Sequence, residues 1–489
     1  MSEQDRRPMD GAELDDMLLS GLPELPPDDV AAGVTPWRRA MNRVLWGLAL
    51  NAVTIDIWIL GVILPALGCA LMLMGFRALR RENGKMRACW VISAVRAAYM
   101  LLVVVKNATI FRLGSAVTAA VTGANIALML ALLVCLWLGL RDIRRKAGSD
   151  GGARSAGALV WWYTVVCALA LADAGGWIVS IAMLIAYVII IRRLFKLSRE
   201  LDEAGYAVIP APVRLSDRTL GWLMAAAVAL GLVCGWLLLS RYPMDWRTEE
   251  VAVPAAELRQ ELLELGFPED VLDDLTEEDL ESCRGAAEIY SECRDQVTDD
   301  HGQNKNLRIT SVAVHVTGER DDWRIFHHFR WLEAVSFYGT ECVQLWTADS
   351  RISGGWYSPD GALSGRVLYD RAGVTYASPF YSLGREKYTD ESMFWVTSVE
   401  KNDVFALFSM PRRGENCRGY VMYSVAEAEK GYILDSYINY VHQCWPVQYP
   451  VRTAQEDRRA GAFANGQAFY TIQDSLQAYP TEDGIRPLD

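Results

Sequence analysis

Histidine is scarce in this 489-residue chain: there are five, and none lies before His301. Recognisable catalytic spacings are missing too. The chain has no His-Glu-x-x-His, no cupin-type His-x-His, no Asp-x-Asp-x-Asp-Gly calcium loop and no nucleophile elbow. It also lacks a P-loop and a dinucleotide glycine motif. These absences remove the enzyme and metal-site classes that can be read from short motifs, and no cofactor or metal is expected. There is no general excess of basic charge, since 48 Lys+Arg face 60 Asp+Glu, which argues against nucleic-acid binding. No cleavable signal peptide is expected before the first apolar run, because residues 1–35 are acidic and polar. With 52% hydrophobic residues the chain is neither disordered nor collagen-like, and its length allows two or three domains.

The net charge of -12 divides unevenly. Residues 1–240 hold 24 Lys+Arg against 18 Asp+Glu, and residues 241–489 hold 24 against 42. Five apolar blocks fill the first half: Val44–Phe76, Ala88–Val105, Ser115–Leu140, Gly157–Ile191 and Leu220–Ser240. Roughly 20 apolar residues cross a bilayer core, so blocks two, three and five fit one span each. Blocks one and four are too long and break at acidic residues, Asp56 and Asp173. Both are flanked on each side by basic residues: Arg38, Arg39 and Arg43 against Arg77, Arg80, Arg81, Lys85 and Arg87, and Arg141–Lys146 against Arg192–Arg199. Positive residues stay on the cytoplasmic side, so each long block reads as a helical hairpin with its Asp at the outer tip. The expectation is about seven spans, amino terminus inside and carboxyl terminus outside.

Thr35-Pro36 is a helix start, with Thr as N-cap and Pro at the first helical position. The acidic segment before it, Met1–Val34, reads either as a disordered tail or as a docking peptide. In the second reading Leu14, Met17 and Leu18 are anchors for a cytoplasmic regulator. Arg96 is the one basic residue deep inside a span. An intramembrane ionisable group marks either an interhelical ion pair or a functional pathway, and Asp56 and Asp173 are its candidate partners.

From Glu249 to Asp300 there are 18 acidic residues and only Arg259, Arg284 and Arg294 basic. Helix starts at Pro254, Pro268 and Thr276 predict two or three short helices presenting a solvated acidic face or stalk. From Leu307 the pattern becomes β, with nine strand-like runs: Leu307–Thr317, Asp322–Trp331, Glu341–Ala348, Gly365–Tyr369, Val374–Ser378, Ser392–Ser398, Asp403–Ser409, Gly419–Ser424 and Tyr432–His442. They predict an antiparallel sandwich or jelly roll, closed by helices at Val451–Phe463 and Tyr470–Tyr479. His327 and His328 are adjacent on a strand and should face opposite sides, as ordinary core or surface histidines. Five of the ten cysteines lie in apolar spans; Cys283 and Cys293 are the candidate disulfide, and Cys444 is a labelling site if exposed.

The runs LPELPPDDV, VTPWRRAMNRVLWGLAL, ILPALG and LMGFRALRREN, with FHHFRW, FYGTECVQLW, RGENCRGY and INYVHQ, resemble a family of uncharacterised bacterial multi-pass membrane proteins with a carboxyl-terminal extracytoplasmic β-rich domain. The resemblance implies a bacterial cell envelope and carries over no activity or functional residue. The expected organisation is an acidic tail (1–35), a helical transmembrane domain (36–240), an acidic helical connector (241–306) and an extracytoplasmic β domain (307–489). The expected partners are the lipid bilayer, a cytoplasmic regulator at residues 1–35 and an extracellular ligand or envelope protein. Non-enzymatic binding, sensing or scaffolding leads. The alternatives are a transporter component or membrane-embedded enzyme using Arg96 with Asp56 and Asp173, or a carbohydrate-binding or carbohydrate-modifying outer domain.

Overall fold

A computed structural model describes residues 35–52, 60–148, 153–172, 176–212, 214–249, 256–300, 303–318, 322–347, 362–391, 398–426, 434–460, 468–481 and 484–487. The Met1–Val34 segment, Asp56, Asp173 and His301 lie outside these residues. Two compact units divide the chain, one within Met1–Val104 and Leu113–Val228, the other within Val105–Arg112 and Ala229–Asp489.

The first unit is helical: α1 (Pro36–Ala52), α2 (Leu60–Leu79), α3 (Gly84–Lys106), α4 (Ser115–Lys146), α5 (Arg154–Leu171), α6 (Trp177–Glu203) and α7 (Asp217–Leu239), whose carboxyl-terminal part enters the second unit. Among the described residues, the six helices α2 to α7 are long and apolar enough to cross a membrane. The N-cap expected at Thr35 is present, its hydroxyl accepting the Arg38 N–H at 3.1 Å. The first long apolar block is the helix pair α1 and α2. They run antiparallel and touch through glycine: a Cβ on Gly47 would lie 2.7 Å from the Gly68 carbonyl oxygen, and Gly75 sits against Ala40 and Val44. The fourth block is the pair α5 and α6, joined by a bond from Trp162 Nε1 to the Met183 carbonyl at 2.9 Å.

The basic clusters gather where helix ends meet acids. Asp217 at the start of α7 pairs with Arg43 at 2.5 Å and Arg77 at 3.4 Å, and Asp142 pairs with Lys85 at 2.6 Å. Large apolar side chains such as Trp161, Ile178 and Trp222 remain exposed on the helices' outer faces. That arrangement leaves hydrocarbon as their natural surroundings.

The second unit is built on two antiparallel sheets. One has the order β1-β7-β6-β10-β4-β3-β2 and the other β13-β12-β11-β5-β9-β8. In the first are β1 (Arg247–Thr248), β2 (Ala286–Asp300), β3 (Gln303–Val316), β4 (Asp322–Trp331), β6 (Leu363–Arg371), β7 (Val374–Pro379) and β10 (Glu415–Ala426). The second holds β5 (Glu341–Thr347), β8 (Ser382–Glu391), β9 (Ser398–Phe408), β11 (Leu434–Gln443), β12 (Phe469–Thr481) and β13 (Gly484–Pro487). Alternate residues of both sheets meet in one buried cluster, among them Ile325, Phe329 and Val421 from the first and Val343, Phe408 and Tyr440 from the second.

Three short helices precede β2: α8 (Ala256–Glu264), α9 (Glu269–Leu272) and α10 (Glu277–Glu281). Pro268 and Thr276 stand at two of their starts, as expected, with Thr276 Oγ1 accepting the Asp279 N–H at 3.2 Å. The stalk reading is corrected. The helices cap the outer face of the larger sheet, burying Leu258, Leu262, Phe267, Val271 and Leu272 against Val312, Phe326, Tyr420 and Met422. Most of their acids are turned to solvent, while Asp274 and Asp279 are buried against the sheet, so the charge density of this segment does not make a solvated rod. Residues 286–300, expected within the helical connector, form an edge strand. Its acids suit a sheet edge, where charge blocks further pairing, and Asp295 bonds Arg308 of β3 at 2.8 Å. Tyr470–Tyr479, expected as a helix, lies within β12. Ile472, Asp474, Leu476 and Ala478 are buried at a two-residue period and pair with β11. The strand expected at Ser392–Ser398 falls almost wholly outside the described residues, and β8 lies before it. The other expected closing helix is α11 (Ala454–Ala460).

Candidate functional site

The alternation of β4 sends its two histidines to opposite faces. His327 enters the inter-sheet core, its ring between Ser311 Oγ and Ser436 Oγ at 2.7 Å each. Burial pushes its pKa down to about 3, so it is neutral and structural. His328 points the other way, under the helical cap, where Nε2 meets Asp274 Oδ2 at 2.8 Å.

Asp274, in the link between α9 and α10, is 2% exposed and is the centre of a polar network. Arg418 on β10 donates Nε to both of its carboxylate oxygens, at 2.8 and 3.0 Å, and Nη1 to Asp370 at 3.0 Å. Arg366 on β6 holds the same link by its carbonyls, Asp274 O at 2.8 Å and Leu275 O at 3.0 Å, and pairs with Glu249 at 2.7 Å. Beside it, Asp279 accepts from Ser364 Oγ and from the Tyr420 hydroxyl. Burial alone would raise the Asp274 carboxyl; the His328 bond and the His328 and Arg418 charges outweigh it and hold the group below the usual carboxylate range.

A cleft of about 1050 Å³ opens between the cap and the β6–β7 side of the sheet. Leu263, Leu272, Leu275, Leu368 and Val374 supply apolar wall, while Arg366, Arg418, Arg259, Glu249 and Asp273 supply charge. A large pocket with an apolar body and a few convergent polar groups is the usual form of a small-molecule or peptide site. His328 Nδ1 is buried without a partner, so no hydroxyl or thiol is placed for activation by this imidazole. Among the described residues, no three His, Cys, Asp or Glu side chains group as metal ligands.

Arg96 is also buried, at 3% exposure, among α1, α3 and α4. Its guanidinium donates to Asn51 Oδ1 at 3.1 Å and to the Asn125 carbonyl at 3.2 Å. Arg96 Nε, Ser93 Oγ and Asn125 Oδ1 are buried without partners. The proposed partners Asp56 and Asp173 lie outside the described residues.

The two cysteines of the candidate disulfide stand apart in this structure. Cys283 is fully buried, with its thiol toward the Asp279 carbonyl, while Cys293 is exposed along β2. The extended chain from Ala286 to Cys293 spans about 23 Å at 3.3 Å per residue, far beyond the Cα separation a disulfide tolerates. The Asp274–His328–Arg418 network was not legible in the sequence. Its members are 54 and 144 positions apart, and no local spacing links them. The one usable signal was the face alternation of His327 and His328. No protein-family model matches the chain, and no curated protein sequence matches it.

Proposed function

We propose that this chain is a non-enzymatic binding or sensing protein of a bacterial cell membrane, taking its ligand in the cleft of the β unit. In this reading seven helices cross the bilayer, with α1 the seventh beside the six apolar ones. The amino terminus is cytoplasmic, and a jelly-roll-like sandwich faces the outside. The observation that carries the reading is the cleft itself, with apolar walls, paired charges and a floor anchored by Asp274. Those features suit a ligand with an apolar body and charged groups. Native mass spectrometry of the full-length protein released from cells tests it. A small-molecule or peptide adduct should accompany the wild type and be lost from Leu263→Trp, which fills the cleft. Equal adducts on both proteins, or none on either, count against the proposal. The regulator reading of residues 1–35 is tested separately. Deleting Met1–Val34 should remove a cytoplasmic partner from a membrane pull-down, and an unchanged set of partners defeats it.

A second reading, a transporter component or membrane-embedded enzyme, is favoured by one observation: three buried polar atoms around Arg96 have no partners. Arg96→Leu should then fail to complement a deletion strain although it accumulates in membranes. Full complementation counts against this reading.

A further inference from the structure

The turn from α2 into α3 carries Arg80, Arg81, Glu82 and Asn83. A cavity of about 520 Å³ opens there, lined by Arg80, Arg81, Asn83, Gly84, Arg87 and Trp90. Three guanidinium groups line it and, among the described residues, no carboxylate does. The nearest acid in sequence, Glu82, is turned inward at 3% exposure, accepting the Ile209 N–H at 2.6 Å and the Tyr206 hydroxyl. Asp142 and Asp217 are committed to Lys85, Arg43 and Arg77.

The arginines are held in place without being neutralised. Arg80 donates to the carbonyls of Arg77 at 2.6 Å and Pro212 at 2.5 Å and lies over the Trp90 ring. Arg81 donates to the Pro210 carbonyl at 3.2 Å. Among the described residues Arg87 makes no side-chain hydrogen bond or ion pair. Burial, then the neighbouring Arg77 and Arg81 charges, push the Arg80 pKa down. The amino end of α3 adds to this field. Asn83 Oδ1 caps the Met86 N–H at 2.8 Å, leaving the first N–H groups, Gly84 among them, without intrahelical partners.

Arg87 also heads an exposed apolar stripe. Val91, Val95 and Leu102 follow it on the same face of α3, exposed by 49%, 49% and 70%. From Val91 to Leu102 the stripe runs about 16 Å at 1.5 Å per residue. A free phosphate has no use for such a stripe, whereas an acyl chain does.

We propose that this cavity binds a phosphate-bearing anion, the headgroup of an anionic phospholipid, with an acyl chain along Val91, Val95 and Leu102. Basic pockets between membrane helices bind such headgroups, and the aromatic ring marks the depth at which polar and apolar parts of a lipid meet. The site lies wholly in the helical unit and does not depend on the ligand cleft.

The test uses full-length protein in detergent. It is titrated with phosphatidylglycerol, phosphatidylcholine of the same chain length, or inorganic phosphate, and read by native mass spectrometry and thermal midpoint. Phosphatidylglycerol should be retained at least tenfold more strongly than phosphatidylcholine. The pair Arg81→Ala with Arg87→Ala should abolish the preference while keeping the unliganded midpoint. The control pair Arg192→Ala with Arg193→Ala, exposed basic residues of α6, should leave it unchanged. Equal retention of both lipids, or equal loss in the control pair, overturns the site. Inorganic phosphate raising the midpoint as much as phosphatidylglycerol overturns the lipid assignment.

Discussion

Replacing Asp274 with alanine removes the carboxylate that Arg418 and His328 share beneath the helical cap. Arg418 keeps Asp370 at 3.0 Å and the Asn416 carbonyl at 2.8 Å, so it is weakened rather than orphaned. His328, fully buried, already has Nδ1 without a partner and would lose the bond at Nε2 as well. Removing one member of a buried charged pair costs about 3–5 kcal/mol, and an unmet buried polar group about 1–3 kcal/mol. These terms overlap, and the surviving Asp370 contact lowers the first, which leaves a net loss of about 3–4 kcal/mol. For a unit of this size each kcal/mol moves the midpoint by about 2–4 °C, so the thermal transition should fall by about 6–16 °C. Asp274→Asn keeps the volume and one acceptor and should lose less than half as much. Hydrogen exchange should show residues 256–281 opening first, since Asp274 and the Arg366 bonds tie that segment to the sheet. The sign with pH follows from the depressed carboxyl. Its contribution is complete above the unfolded value near 4 and is lost as pH falls through the lower folded value. The gap between wild type and Asp274→Ala should therefore close in strong acid. A midpoint shift below 2 °C at pH 7, with unchanged protection of 256–281, would refute the reasoning.

Asp457 in α11 titrates the other way: burial lifts its carboxyl to about 6. It therefore subtracts stability as pH rises from about 4 through 6. Asp457→Asn should stabilise by about 1–2 kcal/mol at pH 7.5, after allowance for its solvent contact, and by nothing near pH 4, as read by denaturant midpoints. Gly365 on β6 has φ +146°, and a Cβ there would lie 2.2 Å from the Tyr420 carbonyl oxygen. Gly365→Ala should cost more than 2 kcal/mol in chemical denaturation, and a loss below 0.5 kcal/mol would contradict the strand packing. For topology, exposed Cys293 replaces the buried Cys444 as the useful thiol. An impermeant maleimide should label intact cells at Cys293 and not after Cys293→Ser; labelling only after lysis would place the β unit inside.

Legibility followed the range of the forces involved. The N-cap at Thr35, the helix starts at Pro268 and Thr276, and strand β4 over Asp322–Trp331 depend on residues a few positions apart. The opposite facing of His327 and His328 followed from strand geometry alone. Segments whose structure depends on distant partners differ from what their local pattern predicts. Residues 286–300 became a strand because β3 was there to pair with them, and Tyr470–Tyr479 because β11 was. The acidic segment reads as a solvated acidic face or stalk because its charges are conspicuous, while its leucines find their sheet only in three dimensions.

By itself the sequence determined the division of this protein: apolar helices bordered by basic clusters, then an acidic, sheet-rich half. Hydrophobicity and charge act through solvent, so they can be read residue by residue. The tertiary structure alone decided which charges became partners. Asp274, His328 and Arg418 meet because the cap folds back on the sheet, and the cleft exists only as the space that packing leaves. Arg80, Arg81 and Arg87 read as one more basic flank in the sequence, but with Glu82 turned into the helical unit they face a cavity with no counter-charge among the described residues.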